Sequence, residues 1–240
     1  DAALQLVNDA FTPAEFDLLL EQFFAYLEAR EPGPRDRGAV RAAGRAQILD
    51  KMEARLETLA GLEAGRRLDA ILAAAGPMGT VADMAARARP IVARALDRAP
   101  DAALVFSHGD PCFSNILYER RLGLMRLVDP RGADRAEDAR LHPLYDLAKF
   151  SHSILGGYDY VNNGQFQVAL DEGLGLALRL EGGGPAGWAQ ARFRARVGEA
   201  GIDIEAVRAV ELTLFLSMLP LHADAPQKLA GFALIAAGIL

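Results

Sequence analysis

Leu104-Val-Phe-Ser-His108-Gly-Asp110-Pro-Cys-Phe-Ser-Asn115-Ile-Leu-Tyr118, followed by Leu127-Val-Asp129-Pro-Arg131-Gly132, is the stretch on which the reading turns. Leu104-Val105-Phe106 has the β-branched and aromatic content of a short strand, and His108-Gly109-Asp110-Pro111 breaks it into a loop. Asn115 to Tyr118 and Leu124 to Val128 read as two short strands joined across Glu119 to Gly123, which predicts a β-hairpin. That hairpin returns Asp129 beside the loop that carries Asp110 and leads to Asn115. Two carboxylates and a carboxamide at a hairpin mouth form a hard-oxygen set suited to Mg²⁺, with one carboxylate left to orient a hydroxyl nucleophile.

Outward from this window the chain reads as helix. Upstream, Thr12-Pro13-Ala14-Glu15 is a capping box with proline at the first helical position. Phe16, Leu19, Leu20, Phe23, Phe24 and Leu27 then recur at helical spacing, and Glu31-Pro32-Gly33-Pro34 ends the run. A second helix is predicted over about 38–60, with Ile48, Met52, Leu56 and Leu59 on one face. A third covers 68–75 and stops at Gly76-Pro77, and a fourth opens at Thr80 with Asp83 and runs to about Arg98. No strand pattern and no glycine-rich phosphate loop precedes Ala103. Downstream, Asp129 to His142 reads as a polar loop, Pro143 starts a helix through Leu155, and further helices are predicted near 186–200, 204–219 and 226–240. The expected architecture is therefore mainly α, an α+β helical domain spanning 1–240 as one unit, with a small β-hairpin and a catalytic segment at about 103–160.

Composition narrows the function. The 240 residues are 51% hydrophobic and 24% charged, a globular balance that excludes a disordered chain. A net charge of −6 provides no basic field for a phosphate backbone, so nucleic-acid binding is excluded as a main role. The single cysteine, Cys112, excludes a disulfide framework and a cysteine-based zinc site, and suits a reducing cytoplasm. The apolar runs 212–221 and 229–240 are shorter than the ~20 residues of a membrane span and read as core helices. Of 26 basic residues only Lys51, Lys149 and Lys228 are lysine, a bias read as that of a GC-rich genome. The chain begins at Asp1 and ends at Leu240 without a capping signal, which leads to the expectation of a piece of a longer protein.

His108-Gly-Asp110, with Asn115 and then Asp129 after a strand, resembles the catalytic core of the aminoglycoside phosphotransferase and choline kinase family, the small-molecule branch of the protein-kinase-like fold. Leu144-Tyr-Asp146-Leu-Ala-Lys-Phe150 resembles the helix that follows in that family. The resemblance covers roughly 100–160 and implies that this chain is the helical C-terminal lobe of such a phosphotransferase. It implies Asp110 as the catalytic aspartate for the substrate hydroxyl. Asn115 and Asp129 would hold Mg²⁺ on the phosphates of ATP, with His108 and Asp146 supporting the loop. Arg131 stands where protein kinases carry phenylalanine, as a contact for phosphate or substrate or as an exposed ion-pairing group. The implied activity is ATP- and Mg²⁺-dependent phosphorylation of a hydroxyl on a small molecule, such as a sugar, an aminoglycoside or an amino-alcohol. The Val-Asp-Pro-Arg-Gly and Asp-Leu-Ala-Lys-Phe-Ser-His-Ser versions are similar to bacterial relatives of surface-polysaccharide synthesis, which tilts the expectation toward a sugar or polyol.

One part of the family pattern is missing. The N-terminal lobe that clamps ATP, with a strand lysine paired to a helix glutamate, is not found; Lys51 lies in a helical stretch. That lobe is expected upstream or in another chain. Two further classes stay open: a non-catalytic, pseudokinase-like binding module, and a metal-dependent hydrolase with His108, Asp110 and Asp129 as ligands. His142, His152 and His222 read as non-ligands, Cys112 as a packed small residue, and Trp188, Phe193 and Phe215 as core. Glu137-Asp138 and Asp171-Glu172 read as solvated acidic pairs.

Overall fold

The structure, a computed structural model, describes residues 1–76, 78–98, 103–170 and 175–240. The Thr12 hydroxyl accepts the Glu15 amide while the Glu15 carboxylate accepts the Thr12 N–H at 2.8 Å, and α2 (Pro13–Ala29) grows from this reciprocal cap. Its apolar stripe, Phe16 to Phe24, is buried. A short α1 (Ala2–Val7) precedes it; six residues hold too little periodicity to be recognised in sequence.

The helix expected over 38–60 is a rod in three parts: α3 (Arg37–Gly44), a π-helical turn at Arg45–Asp50, and α4 (Lys51–Gly61). A π turn shifts the register of everything after it. Gln47, inside the turn, bonds the backbone of Arg140 and His142, and Lys51, just beyond it, donates to the Tyr145 hydroxyl. Then come α5 (Glu63–Ala74), which starts well before the expected residue 68, and α6 (Val81–Arg98), entered through reciprocal Thr80–Asp83 bonds. Pro77 and the acidic pair Asp171-Glu172 lie outside the described residues.

Among the described residues the strands form three separate two-stranded antiparallel sheets. The predicted hairpin is β2 (Ile116–Glu119) paired with β3 (Leu124–Leu127), with Ile116 opposite Leu127 and Glu119 opposite Leu124. The preceding strand, β1 (Val105–Phe106), pairs with β4 (Arg140–Leu141). β4 lies in the stretch expected to be loop, because a two-residue strand is defined by its partner rather than by its own pattern. A second hairpin, β5 (Phe166–Leu170) with β6 (Leu176–Leu180), was not foreseen. Its signal is present in the sequence, since Phe166 and Val168, then Leu176, Leu178 and Leu180, alternate at period two.

The remaining helices are α7 (Leu144–Ile154), α8 (Tyr158–Asn162), α9 (Gly187–Glu199), α10 (Ile204–Met218) and α11 (Pro226–Ile239). The fold is thus mainly helical with small antiparallel sheets, an α+β arrangement. α10 is central, packing on α4, α6, α7 and α11, and its residues from Val210 to Leu216 are all buried. The expected core residues Phe193 and Phe215 are fully buried, and Trp188 packs edge-on against Phe16. No helix among the described residues is long and apolar enough to cross a membrane.

Candidate active site

Of α7's residues, all from Tyr145 to Ile154 except Lys149 are buried, polar ones included: Asp146, Ser151, His152 and Ser153. A helix with polar groups on its inner faces needs partners for them, and here the partners include the loop that follows β1. The Asp146 carboxylate accepts the backbone N–H groups of His108 at 3.2 Å and Gly109 at 3.0 Å, and the Tyr26 hydroxyl at 2.6 Å. The Arg30 guanidinium, itself 7% exposed, stands 3.7 Å away. Two turns further along α7, the Ser153 hydroxyl accepts the Phe113 N–H at 3.2 Å. The Phe113 ring packs against Phe150, which in turn stacks on Phe23 of α2 at 3.8 Å. One helix therefore pins both ends of the loop.

Between these anchors the loop presents Asp110. Gly109 supplies the positive φ of 83° that the turn requires, and a Cβ there would lie 2.8 Å from Arg131 Cβ. The Asn115 carboxamide donates through Nδ2 to the Asp110 carbonyl at 3.0 Å. His108 Nδ1 accepts the Asp110 N–H at 3.3 Å, so this ring nitrogen is turned onto its own loop. The Asp110 side chain is 39% exposed, and its Oδ1 stands 3.0 Å from the Lys149 ammonium. Burial raises the Asp110 carboxyl, but the adjoining Lys149 charge outweighs that and holds it below the usual carboxylate value. For Lys149, burial disfavours the charge, and Asp110 with Tyr145 more than restores it.

The strand-end segment lies on the same loop. Val128 N–H donates to the Asn115 carbonyl at 3.0 Å and Arg131 N–H to the His108 carbonyl at 2.9 Å, so Asp129 is held between two backbone ties to the Asp110 loop. Asp129 takes a positive φ of 57°, shared among described non-glycine residues only with Asp9. Such a conformation persists where the surroundings over-determine it, and it clusters at functional sites. The Asp129 carboxylate is exposed and has no ion-pair partner among the described residues. With Asn115 Nδ2 engaged on the loop, Asn115 Oδ1 and the Asp129 carboxylate are two hard oxygen donors. Mg²⁺ takes about one or two protein carboxylates when water and phosphate fill its other positions, so this donor set fits it. No three His, Cys, Asp or Glu side chains converge as a metal site among the described residues.

The structure thus brings His108, Asp110, Asn115, Asp129, Arg131 and Asp146 around one loop. Arg131 is exposed. Cys112 is buried, its sulfur 3.1 Å from the Ser114 hydroxyl, and burial pushes its thiol up to about 11, which makes it a poor nucleophile. His142 and His152 are buried, and burial drives them down to about 4 and about 3, keeping both rings neutral. The sequence reading missed Lys149, the cation at Asp110, and Tyr145, whose hydroxyl accepts from Lys51 at 2.8 Å. The available signal was compositional: two of the only three lysines in an arginine-dominated chain meet at this site. No protein-family model, curated protein or solved structure matches the chain.

Proposed function

We propose that this protein is a small-molecule phosphotransferase of the aminoglycoside phosphotransferase and choline kinase type, its described residues forming the helical C-terminal lobe. In this reading ATP donates its γ-phosphoryl group to a hydroxyl on a small molecule. The observation that carries it is the presentation of Asp110: a loop held by Asp146 at both the His108 and Gly109 amides, with Asn115 and Asp129 tied alongside. Asp110 sits part-exposed and charged, able to accept the hydroxyl's hydrogen and aim its oxygen. Its lowered carboxyl value suits orienting the hydroxyl better than removing its proton early. Asn115 and Asp129 would hold Mg²⁺, which when bound neutralises phosphate charge. Loop rigidity then supplies positioning, the main protein contribution to phosphoryl transfer. Recognition of the adenine is left to a lobe upstream or on another chain.

The hydrolase reading is less well supported. His108 Nδ1 is occupied by its own loop, and no cluster of three potential ligands forms among the described residues. The binding-module reading differs from phosphotransfer in one measurable respect, turnover. Transfer from γ-labelled ATP should be assayed with and without Mg²⁺ across hydroxylated acceptors, comparing the native protein with Asp110→Asn. The expected result is Mg²⁺-dependent transfer that falls by about 10²–10⁴-fold in the variant, with Mg·ADP affinity unchanged within about threefold. Equal turnover by Asp110→Asn, or no Mg²⁺-dependent nucleotide binding, would overturn the proposal.

A further inference from the structure

A cavity of about 570 Å³ opens beside the Asp110 loop, with Lys51, His108, Gly109 and Arg131 on its walls. Its lining sets Lys51, Arg131 and Arg140 beside Asp134, Glu137 and Asp138, and the pairing among them is uneven. Neither Lys51 nor Arg131 has a carboxylate within ion-pair distance among the described residues; Lys51 reaches from α4 to Tyr145 of α7, and the Arg131 N–H is tied to the His108 carbonyl of the loop. Acidic residues also line the cavity: Glu137 and Asp138 share the one Arg135 guanidinium at 2.7 and 2.9 Å, and Arg140 is paired with Glu31. Asp134 is the remaining carboxylate, exposed at the rim. Lys51 spends one N–H on the Tyr145 hydroxyl and keeps two. Burial raises Tyr145, yet the charges of Lys149 and Lys51, the Lys51 hydrogen bond and the Arg131 charge together bring it below its usual value.

A second observation is independent of charge. His108 Nδ1 accepts the Asp110 N–H, which leaves the ring proton on Nε2. That Nε2 is buried and has no hydrogen-bond partner. A buried donor without an acceptor costs ~1–3 kcal/mol, and such groups in native proteins call for an explanation. The wall therefore holds two cations without a carboxylate partner, and His108, which also lines it, keeps a buried donor unmet.

We infer that Lys51, Arg131 and His108 form a cradle for an anionic group, a phosphate or carboxylate, borne by the acceptor molecule. This rests on the phosphotransferase reading, in which the acceptor hydroxyl lies against Asp110. Lys149 and, through Tyr145, Lys51 share that neighbourhood, whereas Asn115 and Asp129 face the donor phosphates. The acceptor is then an acidic hydroxylated molecule, a sugar phosphate or a sugar acid. Cationic aminoglycosides and choline-like alcohols carry the wrong sign for the Lys51–Arg131 part of the wall. A lysine at position 51 suits the role, since a compact ammonium can serve the Tyr145 hydroxyl and an anion together.

The test is calorimetric titration of the native protein with inorganic phosphate in Mg²⁺-free buffer, repeated at saturating Mg·ADP. Phosphate should bind in both conditions with affinities within twofold. Lys51→Gln should weaken it at least tenfold. Arg131→Gln, at an exposed position outside the core, should weaken it at least fivefold even if Lys51→Gln fails to fold. No phosphate binding, or binding unmoved by Arg131→Gln, would overturn the cradle. Displacement of phosphate by Mg·ADP would assign these cations to the nucleotide and overturn the acceptor assignment. Failure of Mg·ADP to bind at all when the adenine-recognising lobe is present would instead overturn the phosphotransferase reading, with the variants still measuring the anion site separately.

Discussion

Asp146 is fully buried and touches no solvent, yet it accepts two backbone amides and a phenol and faces a buried arginine. Burial, followed by the Asp146 charge, raises the Tyr26 hydroxyl well above its usual value, so Tyr26 stays a donor at any physiological pH. Removing one member of such a group leaves the others desolvated and unpaired. Asp146→Ala is therefore expected to cost about 3–5 kcal/mol of stability, because Arg30 would remain buried without its counter-charge. Chemical denaturation checks this, and a double-mutant cycle with Arg30→Met should show the pair's losses to be less than additive. A loss below ~1 kcal/mol would mean that water replaces the carboxylate, and the loop would not depend on α7. The sequence singled out Asp146 as a brace through its resemblance, but the four groups it serves come from α2, its C-cap Arg30 and the Asp110 loop. No local pattern links Tyr26 and Arg30 to residue 146.

Elements meet the site through their irregularities. The π turn at Arg45–Asp50 aims Gln47 at β4, where Nε2 donates to the Arg140 carbonyl at 3.0 Å and Oε1 accepts the His142 N–H at 2.9 Å. One side chain thus stands in for a neighbouring strand along part of β4. Gln47→Ala would orphan both backbone groups and is expected to cost ~1–3 kcal/mol. Hydrogen exchange should report it, with faster exchange at His142 than at the β2–β3 amides. Unchanged protection at His142 would show that water or Arg140 rearranges to cover the strand. Helix identities were legible from periodicity and caps, as at Thr12 and Thr80. The π turn was not, since an inserted residue changes hydrogen bonding without changing composition. β4 was not either, because two residues become a strand only against Val105 and Phe106.

Across the whole molecule, burial places three titrating groups far from their ordinary values. His142 and His152 are lowered by burial to about 4 and about 3, while Asp159, on α8 and without a hydrogen-bond partner for either oxygen, is raised by burial to about 7. A histidine lowered in the folded state contributes stability above its unfolded value, about 6.5, and loses it as pH falls toward the folded value. A carboxyl raised in the folded state does the opposite: its contribution is complete below about 3.9 and is lost as pH rises through about 7. Between pH 5 and 6 the unfolded chain holds two more protons at the histidines and one fewer at Asp159. Glu211, raised by burial against the opposing Arg208 charge, acts in the same sense as Asp159. Asp159→Asn should therefore make stability fall more steeply on acidification, by about 1.4 kcal/mol per pH unit in this window. It should also raise stability at pH 8 relative to the wild type. Urea unfolding at pH 5, 6 and 8 checks both; parallel curves for the two proteins would show that Asp159 is not held neutral.

What the sequence determined by itself was local: which of the longer segments are helical, where the β2–β3 hairpin turns, and that His108, Asp110, Asn115 and Asp129 lie close along one strand-loop-hairpin stretch. Periodicity, caps and motif spacing are short-range properties, so they survive without coordinates. Only the tertiary structure decided that Lys51 reaches the Asp110 neighbourhood through Tyr145, that Lys149 pairs with Asp110, and that Arg131 and His108 share a cavity wall with Lys51. These residues come from α4, α7 and two loops, and a charge acquires its meaning from what else is desolvated beside it. Packing sets that, and no pattern along the chain encodes it.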